Sequence, residues 1–484
     1  MWYKSELSLI VVVEILWAPS ASGTSSPSHD EKGEAALHHR LTLYGEREKH
    51  HMALRGGGVA VLLSLLSLTR SVRAMSSVCP RKKVVIIGGG LQGCASAYYL
   101  REKEDVEVTI VERTGIAAAA SGKGGGFLAR DWGRGPTKAL HEESFALHKE
   151  LAEILGVSSY RGIRTLEVKG ELGLREWPPR ERTWQKKVKT SPLHPEWLDR
   201  SDTQTTLLDQ NTAQVAPKEL CEKLFEASGA HLVIGAARGL EIDNNKVVGV
   251  KVETGEKVEG EEETISTIDC DEVVVAAGAW SVLLEDWLPG FQLPMEGVYS
   301  SSMVYETDAL KENPFALFCA EDSNDCHLEV YPRPDGSVYL CGIGGSDHVQ
   351  GARLREGGDL QDATKMKANP SRIEAAINSI EKLAPSFVFA PAPQTAACMR
   401  PCARDALPVI GRLDAPHFPT NLALATGHNC WGILWAPITG KIVADIVLGH
   451  KSPVDISAFD PQRFMPKKPK RGRALGEAPL GEQW

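Results

Sequence analysis

Three glycines and one acidic residue have the types and spacing needed to bind a ligand that carries phosphates. Gly88, Gly90 and Gly93 follow one another as G-x-G-x-x-G. The first glycine allows a tight turn, the second lets the backbone approach a pyrophosphate, and the third permits close helix–strand contact. Glu112 ends the next apolar run, where a carboxylate accepts hydrogen bonds from ribose hydroxyls. The pattern predicts a dinucleotide site; the plainer alternative is an α/β turn that needs glycine for a positive φ.

The segments around these residues predict the elements that position them. Val84 to Ile87 is a β-branched apolar run, typical of a buried parallel strand. Small residues follow Gly93, as a helix packed on that strand requires, and Val106 to Val111 reads as the second strand. Together they form a βαβ unit, with the phosphates expected at the helix N-terminus, where free N–H groups favour anions.

A glycine-rich run follows this unit. Ser121, Gly122 and Lys123 precede Gly124 to Gly126 and Phe127. So many glycines make a poor helix and a poor strand, and they suit a loop pressed against a flat ligand or a phosphate. A flexible surface loop is the alternative.

Two later segments also end strands with small residues. Val273 to Val275 is a predicted strand that leads into Ala277, Gly278 and Trp280, and a glycine at such a strand end lies where doubly wound sheets bind ligands. A simple strand–helix turn is the alternative. Leu422 to Ala425 is a strand followed by a Gly-rich turn, with a helix expected to start near Ala436 and Pro437.

The bulk composition limits the class of protein. A chain of 484 residues exceeds one ordinary core, so at least two domains are expected. The formal charge of −9 argues against a nucleic-acid partner. The ten cysteines include no C-x-x-C pair, so neither a metal site nor a disulfide framework is predicted.

Both ends of the chain differ from its centre. The apolar runs Leu9–Trp17 and Gly58–Leu68 are too short to span a membrane. Residues 52–75 resemble a signal or transit peptide, and residues 1–78 are predicted to be a targeting or disordered extension. Residues 456–484 form a basic tail, predicted to be largely disordered.

The motifs, in this order, resemble the D-amino-acid oxidase, glycine oxidase and sarcosine oxidase family of FAD-dependent oxidoreductases, over about residues 83–450. The runs 120–132 and 427–437 are most similar to its yeast and plant branch of FAD oxidoreductases. The resemblance implies an α/β (α+β) fold with a discontinuous Rossmann-like FAD-binding domain and a second, mixed-sheet substrate domain. The expected bounds are 80–165, 205–290 and 395–455 for the first domain, and 166–204 and 291–394 for the second.

The same resemblance implies FAD-dependent oxidation of a primary or secondary amine or amino acid. Hydride would pass to flavin N5, the imine would hydrolyse, and oxygen would become hydrogen peroxide. The residues expected to contact FAD are Gly88, Gly90, Leu91, Gln92, Gly93, Glu112, Arg113, Ser121, Gly122, Gly125, Gly126, Phe127, Val215, Ala277, Gly278, Trp280, Gly427, Gly432, Ile433 and Leu434. A non-catalytic flavoprotein in assembly or trafficking, and a dehydrogenase with another electron acceptor, remain alternatives.

The resemblance also assigns the substrate residues. Arg400 matches the arginine with which glycine oxidases bind the substrate carboxylate. Tyr331 lies next to the sequence position that corresponds to the substrate-site tyrosine of that group. A guanidinium suits this task because its fork of donors matches a carboxylate. Arg400 paired with Asp405, and Tyr331 as a strand filler, are the structural alternatives.

The chain departs from the family pattern at two positions and matches it at a third. Cys430 replaces the second arginine of glycine oxidases, and the strand 338–341 lacks the lysine of monomeric sarcosine oxidases that promotes reaction with oxygen. Cys398 has the spacing of the cysteine that links flavin covalently in sarcosine oxidases, although non-covalent FAD is expected. His428 is expected to be a hydrogen-bonded turn residue rather than a base.

The resemblance bears on partners and localisation as well. It implies a small-molecule amine substrate, with no stable membrane span, and it leaves the oligomeric state open. Cytoplasmic localisation follows from the resemblance, whereas residues 52–75 favour organellar or secretory targeting.

Overall fold

The computed structural model describes residues 81–170, 193–199, 203–255 and 265–465, together with three short strands nearer the N-terminus. The sequence of residues 171–200 favours an irregular excursion and that of residues 261–263 a charged turn; these segments and the predicted basic tail lie wholly or partly outside the described residues. The chain divides into two compact units, Met1–Pro80 and Arg81–Trp484.

The first unit contains a three-stranded antiparallel sheet. Its strands, in the order β1-β2-β3, are β1 (Ile10–Val12), β2 (Arg40–Gly45) and β3 (Glu48–Ala53). The targeting role of this region stays a prediction.

The second unit is built around a six-stranded sheet. The strands are β4 (Lys83–Ile87), β5 (Glu107–Glu112), β9 (His231–Ile234), β13 (Glu272–Val275), β20 (Val409–Arg412) and β21 (Leu422–Thr426). Their order is β20-β21-β13-β4-β5-β9, and every pairing is parallel except that of β20 with β21. Alternate residues of β4 enter different cores, Val84 and Ile86 on one face and Val85 and Ile87 on the other. Because both faces are covered, the strand is apolar throughout.

Helices cover one face of this sheet. The helices of the unit are α1 (Leu91–Lys103), α2 (Ala120–Lys123), α3 (Lys138–Leu155), α4 (Pro217–Ser228), α5 (Leu284–Trp287), α6 (Gly351–Leu354), α7 (Pro370–Leu383) and α8 (Gly432–Leu448). Helices α1 and α8 pack directly together, and a Cβ on Gly440 would lie 2.5 Å from the backbone of Ala95. The small residues predicted after the glycine turn allow this contact.

A nine-stranded mixed sheet forms the other main layer. Its strands are β6 (Phe127–Ala129), β7 (Arg161–Gly170), β8 (Thr203–Gln214), β14 (Met295–Glu306), β15 (Phe315–Cys319), β16 (Glu329–Pro332), β17 (Ser337–Cys341), β18 (Asp347–Val349) and β19 (Gln394–Ala403). The order is β18-β14-β17-β16-β15-β7-β8-β6, with β19 also paired to β14. Strands β16 and β17 form an antiparallel hairpin, which the turn sequence Pro334-Asp335-Gly336 favours. A smaller antiparallel sheet contains β10 (Ala236–Asp243), β11 (Lys246–Glu253) and β12 (Ile265–Asp269).

Helix α8 begins at Gly432, so the predicted start near Ala436 and Pro437 is wrong. Pro437 lies inside the helix, where it cannot donate a backbone hydrogen bond. His148 Nε2 instead contacts the carbonyl oxygens of Ile433 and Leu434 at 3.0 and 3.1 Å. Side chains from α3 therefore satisfy the groups that the proline leaves without partners, and the helix continues through it.

The stretch Asn429–Leu448 has a mean hydropathy of 1.4, and it is long and apolar enough to cross a membrane. However, 67% of this window is buried inside the protein. Packing against α1 and α3 accounts for its apolar sequence, as for the core helix of a globular domain.

Candidate functional site

A cavity of about 570 Å³ lies where the carboxyl ends of β4, β5 and β13 face the nine-stranded sheet. Ligands of open α/β sheets bind at this edge of the parallel strands. The cavity reaches from Glu112 through the glycine turn to the start of α8, and to Tyr331 and Arg400 on the opposite wall.

The glycine turn has a shape that only glycine allows. Gly88 has φ 114°, and a Cβ there would lie 2.5 Å from the carbonyl oxygen of Ala276. A Cβ on Gly93 would lie 2.0 Å from the carbonyl oxygen of Gly88. The backbone therefore folds closely enough to bring the N-terminus of α1 to the cavity wall, where its dipole favours a phosphate.

Glu112 is held in a fixed orientation at the cavity. Its Oε2 accepts a hydrogen bond from the backbone N–H of Gly89 (2.7 Å), and its Oε1 accepts one from the N–H of Thr114 (3.1 Å). The carboxylate is thus positioned beside the turn, where the ribose of a dinucleotide would lie.

The glycine-rich run is helical in its first part, because α2 covers Ala120–Lys123; the loop prediction is wrong there. Ser121 Oγ accepts a hydrogen bond from the N–H of Leu91 (2.9 Å), which ties α2 to the start of α1. Gly125 lies against the other wall, since a Cβ there would lie 2.7 Å from the ring of Tyr331. The run therefore connects the phosphate end of the cavity to the sheet.

The predicted contact residues divide into two groups. Those that line the cavity are Gly88, Gly90, Leu91, Gln92, Glu112, Arg113, Ser121, Gly125, Gly126, Phe127, Ala277, Gly278, Trp280, Gly432, Ile433, Tyr331 and Arg400. Those that do not line it are Gly93, Gly122, Val215, Gly427 and Leu434. In the second group, Val215 contacts the wall from behind, because its N–H donates to the carbonyl of Gly126 (3.0 Å).

Part of the cavity lining was not predicted from the sequence. Gly235 joins β9 to β10 beside Glu112, and Ala236 and Ala237 begin β10; the three offer a small-residue surface at that end of the cavity. Their signal is the small-residue run Gly-Ala-Ala at the end of a strand, the feature that identified Ala277 and Gly278.

These features fit FAD. The cavity offers a helix N-terminus and a close backbone approach for the pyrophosphate, a carboxylate for the ribose, and an extension toward aromatic side chains and α8. A cofactor that is long, anionic at its centre and flat at one end matches this order of groups.

Arg400 lies in β19 and faces the cavity together with Cys398 and Cys402. Asp405, its predicted structural partner, is bound instead by Arg463, at 2.7 and 3.1 Å. Within the described part of the chain, no carboxylate forms an ion pair with Arg400. Burial lowers the pKa of its guanidinium, but three cavity thiols and the Glu329 carboxylate raise that pKa above its ordinary value.

Tyr331 forms part of an aromatic wall. Its ring stacks on Phe127, with centroids 5.4 Å apart and planes at 7°, and on Tyr339, at 6.1 Å and 5°. Its hydroxyl donates to the carboxylate of Glu329. Burial, and then the nearby Glu329 charge, raise the pKa of Tyr331 well above its ordinary value, so the phenol is neutral and donates.

Two further residues were expected to have minor roles. His428 Nε2 lies 3.1 Å from Thr439 Oγ1, and burial lowers the pKa of His428 to about 3. It is therefore a neutral, hydrogen-bonded turn residue. Burial raises the pKa of the Cys398 thiol, which keeps it from being a reactive thiolate.

Comparisons with known proteins agree with this geometry. A Schizosaccharomyces pombe protein whose name describes it as an oxidoreductase is 25% identical over 405 residues, covering 79% of this chain and 98% of that one. The D-amino-acid oxidase of Bradyrhizobium diazoefficiens is 29% identical over 241 residues, or 49% of each chain. The crystal structure of glycine oxidase from Geobacillus kaustophilus matches with a TM-score of 0.60 and 20% identity, covering 80% of this chain and all of that one.

The family model described as FAD dependent oxidoreductase matches residues 83–446, which is most of the chain. The expected α/β fold and the FAD dependence are thereby confirmed. The chain belongs to the DAO family of FAD-dependent oxidoreductases.

Proposed function

We propose that the protein oxidises an amino acid, or a related primary or secondary amine, at the carbon that bears nitrogen. The observation that carries the proposal is Arg400, a cavity guanidinium without an ion-pair partner among the described residues. A free guanidinium in such a wall calls for an anionic ligand group, and a carboxylate fits its fork of donors.

The groups that line the cavity have different roles in the proposed reaction. Arg400 binds the substrate carboxylate, a charged hydrogen bond worth about 1.5–3 kcal/mol. Tyr331 and Phe127 supply a rigid apolar wall that excludes water. The N-terminus of α8, at Gly432 and Ile433, directs its dipole at the cavity and stabilises negative charge there.

FAD, when bound, supplies the two-electron acceptor for hydride from the substrate carbon. The net reaction with oxygen converts the amine, oxygen and water to a carbonyl compound, ammonia or the smaller amine, and hydrogen peroxide. We propose that the six-stranded sheet and its helices hold FAD, and that the nine-stranded sheet supplies the substrate side.

A dehydrogenase with another electron acceptor is the second candidate. The strand β17 presents Tyr339 and Cys341 to the cavity, whereas the lysine that promotes reaction with oxygen in monomeric sarcosine oxidases would belong to this strand. The two candidates share the substrate site and differ in where the electrons go.

The test is the visible spectrum of the purified flavoprotein without oxygen, during titration with glycine, sarcosine, and D- and L-amino acids. Bleaching of the flavin band by one of them supports the proposal. Peroxide formed when air is admitted separates the oxidase from the dehydrogenase. A bound flavin that no amine or amino acid reduces would contradict the proposal and favour a non-catalytic flavoprotein.

A further inference from the structure

We propose that Glu329 binds the nitrogen of the substrate, so that the cavity recognises a zwitterion whose carboxylate lies on Arg400. This inference rests on the proposed function and identifies a residue for it that the glycine spacing and the family resemblance leave unassigned. It also narrows the substrate class to compounds that carry an amine and a carboxylate together.

Strand pairing places Glu329 in the cavity wall. The residue begins β16, where it pairs with Cys341 of β17 and with Phe318 of β15. All three residues line the cavity, together with Tyr331 two positions along the same strand. Because side chains alternate along a strand, Glu329 and Tyr331 share the face that looks into the cavity.

The two oxygens of the Glu329 carboxylate have different surroundings. Oε2 accepts hydrogen bonds from the Tyr331 hydroxyl and from Cys341 Sγ, the latter at 3.4 Å. Oε1 accepts none from the described residues. One oxygen is therefore committed to holding the side chain in place, and the other is left for a ligand.

The cavity thus contains two opposite charges that do not pair with each other. Neither Glu329 nor Arg400 forms an ion pair within the described part of the chain, although the Glu329 carboxylate is close enough to raise the pKa of Arg400. Both residues are half-buried, and removing a charge even partly from water is costly unless a partner compensates it. A zwitterionic ligand would compensate both at once, whereas a simple carboxylate or a simple amine would leave one unpaired.

The aromatic side chains near Glu329 favour a cation at the same place. Phe318 lies 5.1 Å from Phe127 and 6.0 Å from Tyr331, measured between ring centroids. Trp132 completes the group at 5.2 Å from Phe318. Aromatic rings attract ammonium groups through their quadrupoles, most strongly where water is excluded.

A proton transfer follows from this placement. A substrate ammonium that donates one proton to Glu329 becomes a neutral amine, and the carboxylate becomes a carboxylic acid, so charge is conserved. The nitrogen then has the lone pair needed before hydride leaves the neighbouring carbon. Glu329 would act as the proton acceptor for this step, within hydrogen-bond reach of the nitrogen.

The experiment compares Glu329→Gln with the wild type as holoenzymes, using alanine of each hand against propionate, and proline against cyclopentanecarboxylate. Binding of the amine-free acids is read from the shift of the flavin absorbance without oxygen, and binding of the amino acid is read from the concentration dependence of flavin reduction. We expect Glu329→Gln to weaken binding of the amino acid by about 10- to 150-fold, the size of one charged hydrogen bond. Binding of the amine-free acids should change less than about 2-fold, because they never contact Glu329.

The pH dependence gives a second readout that a purely structural role would not move. In Glu329→Gln, kcat/KM should keep rising with pH toward the pKa of the free amine, because only the neutral amine then reacts. In the wild type the rise should end at lower pH. Glu329→Asp retains the charge and should recover part of the affinity, which keeps the test valid if the amide variant folds poorly.

The control is Glu306→Gln, at the exposed end of β14 and outside the cavity, which should behave as the wild type. If Glu329→Gln binds the amino acid as tightly as the wild type and its flavin is still reduced, this inference is overturned and the proposed function stands. Equally fast reduction of the wild type by a diamine without a carboxylate would overturn the zwitterion arrangement. A wild-type flavin that no amine reduces would overturn both.

Discussion

The two walls of the cavity are built in different ways. The proposed phosphate wall comes from one short stretch, in which Gly88 and Gly93 shape the backbone and Glu112 follows at the end of the next strand. The proposed substrate wall comes from β14, the hairpin of β16 and β17, and β19, which lie in three separate parts of the chain and meet by strand pairing. The first wall depends on local backbone geometry, and the second depends on side chains in register.

This difference predicts different responses to mutation. A change in the glycine turn should remove the cofactor and with it every activity. A change in the substrate wall should leave the cofactor bound and alter only what reacts with it.

The largest effect on the cofactor is expected for Gly88→Ala. The added Cβ would lie 2.5 Å from the carbonyl oxygen of Ala276, at a φ of 114° that alanine rarely adopts. Strain and overpacking together should cost about 2–5 kcal/mol of folding stability and abolish FAD retention. The FAD-to-protein ratio after purification and the urea midpoint measure both effects.

Gly115→Ala is the matched control, because a Cβ there meets no atom within 4 Å. It should retain FAD. Full flavin content in Gly88→Ala would show that the turn does not shape the phosphate wall.

The next prediction concerns the pH dependence of the free energy of unfolding, which depends on histidines in and near the helices behind the phosphate wall. Burial lowers the pKa of His141 and His148 on α3 to about 4, and that of His428 before α8 to about 3, from 6.5. Between pH 6.5 and about 4 the unfolded chain therefore binds more protons than the folded one. The free energy of unfolding should rise with pH in this window, by up to about 4 kcal/mol per pH unit for three histidines.

Urea unfolding at pH 7, 6 and 5 measures this slope. His428→Asn should reduce the slope by about a third, since one of the three histidines no longer titrates. A slope unchanged by this substitution would mean that His428 is already protonated, or exposed, in the folded protein.

The smallest effect is expected for Cys398→Ser. Cys398 lies on the substrate wall, and burial raises the pKa of its thiol, so the thiolate needed for a flavin link is scarce. Acid precipitation should release FAD equally from the wild type and from the variant. Flavin that stays with the precipitated wild-type protein alone would establish a covalent link at Cys398.

The residues of the phosphate wall can be predicted from the sequence more directly than those of the substrate wall. Gly88, Gly93 and Glu112 could be assigned from spacing, because each requirement is local and steric. Arg400 and Tyr331 could be assigned only through resemblance, and their meeting in one cavity needed the pairing of distant strands. Glu329 and Tyr331 could be placed on one strand face, but the register that sets Cys341 and Phe318 beside Glu329 is not visible in a single segment.

The start of α8 shows the same limit. Pro437 suggested a helix beginning beside it, whereas the hydrogen bonds from His148 let the helix start at Gly432. The compensating histidine lies on another helix, so no local rule predicts it. Val215 was predicted to contact the cofactor, but it lies behind the glycine-rich run. Ala236 and Ala237 were not predicted, yet they line the cavity.

The proposal that Arg400 binds the substrate carboxylate is tested most directly by the anaerobic reduction of bound flavin in Arg400→Gln. The reduction is measured by stopped flow over a range of concentrations of the reducing amino acid. Arg404→Gln, an exposed residue outside the cavity at the end of the same strand region, is the matched control. We expect full flavin content in both variants and wild-type reduction in Arg404→Gln. In Arg400→Gln we expect the apparent Kd to be about 10- to 150-fold higher, as for a lost charged hydrogen bond. The same Kd and reduction rate in Arg400→Gln as in the wild type would contradict the proposal.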